Sequence, residues 1–451
     1  MERNSRGMLA ATTALCLLTS TGAAWGQQSA SPAAEADGPD VIVVTAQKRS
    51  ENLQDVPISI SVVGGERLQE TGASQLTDFA GYVPGLQVDN SGTPGQSTIS
   101  LRGVAPIGPS ATVGTYVDDA PVGSSSLYAR ASAFALDLLP YDIERVEVLR
   151  GPQGTLYGAS SIGGLLKYVT VTPSLTDFSG KAGAELFGIR RAGGAGYAGQ
   201  AMVNVPLVTD RLGPTASYAY RKTPGYVDSV VTGKRDQNAY RQQGARIALL
   251  WQPGEDFSVS LSGLWQEIES DGNAAIVEDV VTGRRIGNGF ANNNYLDEPF
   301  TKSLYYFAGT LKYDFGFAAL SSTTTYSRVK TSQTQDSSRV FGVLFPLFGQ
   351  PAPGLAPFNI TLDLKKVTQE VRLTSPSGGR FEWLLGGFFT NEDSGNKQIV
   401  RAYDMAGTPI VGLDPLAIAE LPTRYREFAA FANATYKFSD RFDITAGVRW
   451  A

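Results

Sequence analysis

Histidine is absent from the 451 residues, and cysteine occurs once, at Cys16. Past that point the chain offers neither imidazole nor thiolate, the usual ligands of zinc, copper and haem iron. Any metal it handles would arrive already chelated, and no cofactor is implied. The same absence removes Ser-His-Asp and Cys-His catalysis, leaving carboxylate, Lys or Tyr chemistry as the enzymatic routes. Long apolar runs are also missing: no segment reaches the roughly 18–20 uninterrupted apolar residues of a transmembrane helix. A basic excess is missing too, since Asp and Glu number 43 against 38 Lys and Arg. Nucleic-acid binding, which needs a positive stripe, is therefore disfavoured. A hydrophobic content of 42% is too low for a helical membrane protein but compatible with a β-barrel, where only alternate residues face lipid.

What is present begins with a secretory signal. Arg3 and Arg6 precede an apolar Met8–Leu18 stretch, and Ala24-Trp25-Gly26 flank a cleavage point before Gln27. Residues 1–26 are thus expected to be removed on export, and Cys16 with them, so neither disulfide nor lipid anchor is expected. Residues 27–49 read as a linker carrying an isolated β-branched run, Asp40-Val41-Ile42-Val43-Val44-Thr45-Ala46. Such a run favours extended backbone, and with no neighbouring run in the linker its main-chain groups could be completed by another protein's sheet edge.

From Leu53 to Thr172 the pattern is that of a small α+β domain, glycine-rich with short apolar runs. Helices are expected at Gly65–Thr71 and Gln75–Ala80, and strands at Gly85–Asp89, Thr98–Leu101, Thr115–Val117 and Arg145–Leu149. The stretch Arg145-Val146-Glu147-Val148-Leu149-Arg150 alternates charged and apolar residues, as a strand does with one face in a core and the other on a polar lining. Gly151-Pro152-Gln153-Gly154 then makes a tight turn, and Gly158, Gly163 and Gly164 permit close backbone approach.

From Phe178 onward, segments of about ten residues alternate with period 2, the signature of transmembrane strands. In Phe257–Trp265, Phe257, Val259, Leu261 and Trp265 oppose Ser258, Ser260 and Ser262; Phe442–Trp450 behaves alike. Short turns (Val208–Arg211, Pro253–Asp256, Asp314–Gly316, Pro376–Gly379, Ser439–Arg441) alternate with long polar loops at Thr223–Asn238, Ser270–Phe300, Thr331–Ile360 and Glu392–Pro422. That asymmetry separates an outer-membrane barrel from a soluble sandwich. Tyr305, Tyr306, Tyr313, Phe315, Tyr436 and Phe438 fall near strand ends and suit interfacial girdles. The reading yields about eleven strands, an odd number where bacterial single-chain barrels have an even one.

Four phrases resemble the plug domain of Gram-negative TonB-dependent outer-membrane receptors, in order and spacing: Gln54–Ile60, Ile99–Val104, Tyr116–Val122 and, above all, Ile143–Gly158. The resemblance marks Gly103, Arg145, Glu147, Gly151, Gly154 and Gly158 as plug-motif residues. It makes Asp40–Ala46 a TonB box, residues 50–172 a plug, and residues 173–451 the N-terminal half of a β-barrel of about 22 strands. The chain would then be C-terminally truncated. One departure is Ala159–Tyr168, where many relatives carry a basic-polar stretch.

The resemblance further implies a non-enzymatic receptor of the cell outer membrane. It would be driven by TonB with its inner-membrane ExbB–ExbD complex, set in outer-membrane lipid and lipopolysaccharide, and would take up a small extracellular ligand. A ferric siderophore is the expected ligand, the missing histidine weakening haem; an oligosaccharide, an aromatic compound, or no transport at all by a fragment are the alternatives. A passive channel, an adhesin and a secreted carboxylate enzyme are weaker readings. Arg102 and Arg150 resemble plug arginines that pair with barrel-wall glutamates. In Val367–Thr374, Glu370 shares the inward face with Thr368, Arg372 and Thr374, which makes it the candidate partner, with a wall pair Glu370–Arg372 as the alternative.

Overall fold

The computed structural model describes residues 42–451 except 91, 127, 131–133, 135, 140, 440 and 441. The expected signal, the linker up to residue 41, Asp40 and Val41 lie outside the described residues. The chain divides into two units, Met1–Ile42 and Val43–Ala451, and the second carries every strand and helix assigned among the described residues.

An inner domain comes first. Its main sheet has the order β3-β8-β9-β6-β7, with β3 at Ile60–Gly64, β6 at Val113–Val117, β7 at Ala120–Pro121, β8 at Ile143–Arg150 and β9 at Gly164–Thr170. Only β6 and β9 run parallel. A separate hairpin joins β4 (Leu86–Asn90) to β5 (Ser97–Leu101), and a short one joins β1 (Val43–Val44) to β2 (Glu51–Asn52). Helices α1 (Gly65–Glu70) and α2 (Leu76–Ala80) pack on the sheet through Leu68, Leu76 and Phe79, and α3 (Gly154–Tyr157) comes after β8. Asp78 accepts the N–H groups of Ser74 and Gln75, satisfying donors ahead of α2.

The second half is one antiparallel sheet of eleven strands in sequence order, called the wall here. It comprises β10 (Ser179–Gly188), β11 (Ala195–Asn204), β12 (Leu212–Thr223), β14 (Tyr240–Gly254), β15 (Phe257–Ser270), β17 (Phe300–Asp314), β18 (Ala319–Asp336), β19 (Pro357–Thr374), β20 (Phe381–Val400), β21 (Ala417–Ser439) and β22 (Phe442–Trp450). Two loop bridges, β13 (Asp228–Ser229) and β16 (Ala291–Asn292), pair with each other.

Alternation along the wall sorts the environments as period 2 demands. In β19, Leu362, Leu364, Lys366, Thr368, Glu370 and Arg372 are buried toward the inner domain, while Val367 and Val371 are exposed. The inner domain's apolar core continues onto the wall through Leu264, Leu304, Tyr306, Val329 and Leu364. At the short-turn end, Trp251, Phe257, Tyr313, Phe315 and Phe317 form a chain of ring contacts, as do Tyr436, Phe438 and Phe442. These are the aromatic girdle of a membrane interface.

Two expected loops are shorter than the sequence suggested. Strands β18 to β21 run on to Asp336, Pro357, Val400 and Ala417, because paired backbone continues where polar side chains on both faces hide the alternation. The loops between them, residues 337–356 and 401–416, share a small core of Phe345, Ala356, Val400 and Ala402.

Candidate functional site

The β-branched run does not stay unpaired. Val43 pairs with Asn52 and Val44 with Glu51, the chain reversing at Lys48, whose φ of 60° places it in the left-handed region and whose N–H reaches the Thr45 carbonyl at 3.1 Å. Val44 and Ala46 are buried among Tyr116, Leu149, Leu156 and Tyr157. The expectation of an open edge is corrected: the partner strand comes from Glu51–Asn52, polar residues that carry no β signal of their own.

Thr45 is the hinge of a polar network beneath this hairpin. Its N–H and hydroxyl both donate to the carboxylate of Glu147, at 3.1 and 3.2 Å to Oε1. Glu147 is fully buried on β8 and also accepts from Arg145 Nε at 2.8 Å. Lys167 on β9 donates to the Thr45 hydroxyl at 2.7 Å and to Asp119 at 3.0 Å. The Tyr157 hydroxyl donates to the carbonyls of Thr45 (3.2 Å) and Ala46 (2.8 Å). Nearly every polar atom of Thr45 and Ala46 that an incoming strand could use is thus engaged.

The network crosses to the wall. Arg372 donates to Asp119 at 2.7 Å and to Glu370 at 3.0 Å, and Lys48 meets Glu370 at 2.5 Å. The Lys48 ammonium lies 5.0 Å from the ring centre of Tyr157 and 5.3 Å from that of Phe431, a favourable cation–π placement. Burial lowers the Lys48 amine below its ordinary value against the pull of Glu370. Burial would push Asp119 up, but Arg372 and Lys167 beside it hold its carboxyl well below the usual range. A chain of alternating charge, Lys48–Glu370–Arg372–Asp119–Lys167, therefore joins the residues just after the run to the wall and back to Thr45. A cavity of about 450 Å³, lined in part by Lys48, Arg49 and Arg372, opens beside it.

Glu370 faces inward, but its cations are Lys48 and Arg372 and not Arg102 or Arg150. Arg150 donates to the Pro84 carbonyl at 3.5 Å, and Arg102 is exposed, with φ 54°, beside Gly85 and Gly151. Arg102 follows β5 and Arg150 ends β8, and among the described residues no ion pair joins either to Glu370. Arg145 and Glu147 are inside the network. Gly103 (φ 76°), Gly151 (φ 96°) and Gly158 (φ 75°) each occupy a turn that disfavours a side chain, and Gly154 opens α3. A Cβ on Gly158 would also come within 2.8 Å of Arg449 on β22.

Lys48, Asp119 and Lys167 escaped the sequence reading as site residues. Lys167 did leave a signal: a lysine inside Leu165-Leu166-Lys167-Tyr168 is buried only if paired.

Two further anchors tie inner domain to wall. Glu392 on β20 accepts the N–H groups of Ser125 and Ser126, each at 3.2 Å, and the Ser124 hydroxyl, while Lys366 donates to the Gly123 carbonyl at 2.7 Å. Arg246 on β14 binds Thr170 at 2.7 Å and Asp142 at 3.3 Å.

With that geometry in hand, the likeness to known proteins is informative. Residues 52–165 match the family model of the TonB-dependent receptor plug domain. The pesticin receptor of Yersinia pestis is 25% identical over 416 residues, 91% of this chain and 55% of the relative. A vitamin B12 transporter of Photobacterium profundum is 27% identical over 245 residues, 53% of this chain and 37% of the relative. The solved ferric yersiniabactin uptake receptor of Yersinia pestis superposes with a TM-score of 0.70 at 22% identity, covering 87% of this chain and 56% of that one. The chain spans about half the length of the curated relatives it matches along most of its own. Residues 52–165 are therefore a TonB-dependent receptor plug domain, and inner domain and wall together take the fold of a plug with part of its barrel.

Proposed function

We propose that this protein carries out active uptake of a scarce extracellular ligand, a ferric siderophore first, across the outer membrane. TonB, energised by the ExbB–ExbD complex, supplies the force through Asp40–Ala46 as the TonB box, with residues 1–26 removed on export. The observation that carries this reading is the attachment of Thr45, which is bonded to both Glu147 and Lys167. Tension on the segment before Val43 would load the plug sheet directly.

The bonds set the order of events. TonB can add a strand only after the box leaves Glu51–Asn52 and surrenders its bonds to Glu147 and Tyr157. Several parallel main-chain hydrogen bonds then bear the pull in shear. Moving Thr45 strips Lys167 of one partner, and Lys167 shares Asp119 with Arg372. Withdrawal of the box thereby weakens the plug's hold on β19, where Glu370 and Arg372 stand. The ferric-chelate preference draws on the histidine-free sequence and on the likeness to a ferric yersiniabactin receptor.

The test is deletion of residues 40–46 in cells starved of iron, with uptake of radiolabelled ferric chelate measured beside binding to intact cells. Binding retained with uptake abolished supports the reading. Uptake persisting without the box would mark a passive channel. Expression induced by single carbon sources and not by iron starvation would move the ligand class to sugars or aromatics.

A further inference from the structure

Between β7 and β8 the plug is tied to the wall at two backbone carbonyls. Asn396 on β20 donates to that of Tyr128 at 2.8 Å, and Lys302 on β17 donates to that of Phe134 at 3.0 Å. Asn396 lies close to the end of β20 and Lys302 close to the start of β17. Both strand ends adjoin long loops, the extracellular side of an outer-membrane barrel.

Between these ties stands Arg130, whose donors the protein leaves unused. Its φ is 51°, a left-handed conformation that is costly for a residue with a side chain. Arg130 is half-buried, and its guanidinium lies 5.4 Å from the ring centre of Phe134, which stacks on Phe300 at 6.1 Å and 24°. Among the described residues that guanidinium makes no ion pair and no hydrogen bond. Burial alone lowers it from its ordinary value, with no carboxylate opposing. The contrast is with Arg246 and Arg372, which are more deeply buried and are each bonded to a carboxylate. A fork of N–H donors drawn partly out of water with no acceptor is unfavourable until something brings one.

We infer that Arg130 binds paired anionic oxygens, the carboxylate or catecholate of a ligand arriving from outside, and that it selects anionic ligands over neutral ones. This inference rests on the uptake reading and adds the charge of what is taken up. The planar fork suits two oxygens held side by side. Phe134 lies against the guanidinium and sets its plane. The ties at Tyr128 and Phe134 hold the flanks in place before the ligand comes, so little ordering is left to be done on binding.

The experiment measures equilibrium binding to the full chain in non-ionic detergent, which needs no energy source. The probes are iron(III) tris(2,3-dihydroxybenzoate), the same acid without iron, and a neutral ferric trihydroxamate. Arg130→Gln should weaken the anionic iron complex about 10- to 100-fold, and Arg130→Lys, which keeps the charge but not the fork, should weaken it less. The neutral complex should bind the variants as it binds the parent. Tighter binding of the iron complex than of the free acid assigns the site to chelates, and the reverse order assigns it to aromatic acids.

Arg130→Gly removes the guanidinium and the left-handed penalty together, so the denaturation midpoint should hold or rise while anionic binding falls. Equal losses for anionic and neutral probes, no loss for either, or no anionic binding by the parent each overturn the site. The uptake reading fails separately. An anionic complex that binds through Arg130 but never enters cells containing TonB leaves the site standing and removes the transport.

Discussion

Thr45 presents its N–H and its hydroxyl to one carboxylate, that of Glu147, 102 residues further along the chain and fully buried. A buried carboxylate facing a hydroxyl and an amide is strong only while its counter-ions stay in place, and here these are Arg145 and, through Thr45, Lys167. Glu147→Gln should therefore free the hairpin. Hydrogen bonds to a charged group contribute about 1.5–3 kcal/mol. A cysteine introduced as V44C should then react with a thiol reagent roughly 10- to 100-fold faster in the E147Q background. Unchanged labelling kinetics would show that the β1–β2 pairing alone retains the segment.

Removal of Glu370 should be costly. Glu370→Ala leaves Lys48 and Arg372 buried together, and breaking one buried partner costs about 3–5 kcal/mol. Urea unfolding of the plug, monitored by pulse proteolysis, is the measurement. Lys48→Met with Glu370→Leu should recover most of the loss, since an apolar pair of similar volume replaces a desolvated ion pair. If the single and double variants are equally destabilised, the pair is not the unit described.

Asp137 gives a pH signature. Its carboxylate accepts the N–H of Leu76 at 2.8 Å, at the start of α2, and of Gly95 at 3.4 Å, yet burial pushes its pKa up to about 6 from 3.8. Between those values the folded protein holds a proton that the unfolded chain has released. Stability from this group is intact below about pH 4 and lost as pH rises through 6, by about 3 kcal/mol. Asp119, held low, acts in the opposite sense and below pH 4, so the windows are separate. The stability difference between Asp137→Asn and the parent should change by that amount from pH 4 to pH 7; parallel curves would contradict it.

Two plug glycines should respond oppositely to alanine. A Cβ on Gly164 would sit 2.2 Å from the Leu149 carbonyl oxygen and 2.4 Å from Leu101, at φ +146°. Gly164→Ala should cost about 3 kcal/mol or more. Gly154 opens α3 with nothing within 4 Å of such a Cβ. Gly154→Ala should leave stability the same or raise it by about 0.5 kcal/mol. Denaturation midpoints of the two variants decide the matter.

The wall was legible because period 2 is enforced by two solvents: lipid selects Val367 and Val371 outward, and the packed lumen selects Thr368, Glu370 and Arg372 inward. The same rule put Glu370 on the correct face beside Arg372, and the alternative wall pair is the one that forms, yet its second cation could not be read. Lys48 lies 322 residues away, in a polar turn that resembles any linker. Arg102 and Arg150 drew attention by motif, but among the described residues the ion pairs of Glu370 are with Lys48 and Arg372. The β1–β2 pairing was invisible for a similar reason, since Glu51 and Asn52 supply only backbone.

The loops at residues 337–356 and 401–416 are closed over Phe345, Ala356, Val400 and Ala402, with the Leu355 and Tyr403 backbones bonded to each other at 2.8 and 2.9 Å. A crown with an interior of its own keeps its shape apart from the strands beneath it. On the proposed function, substitutions on its wet surface would change what is met outside while the wall and the plug keep their sequences.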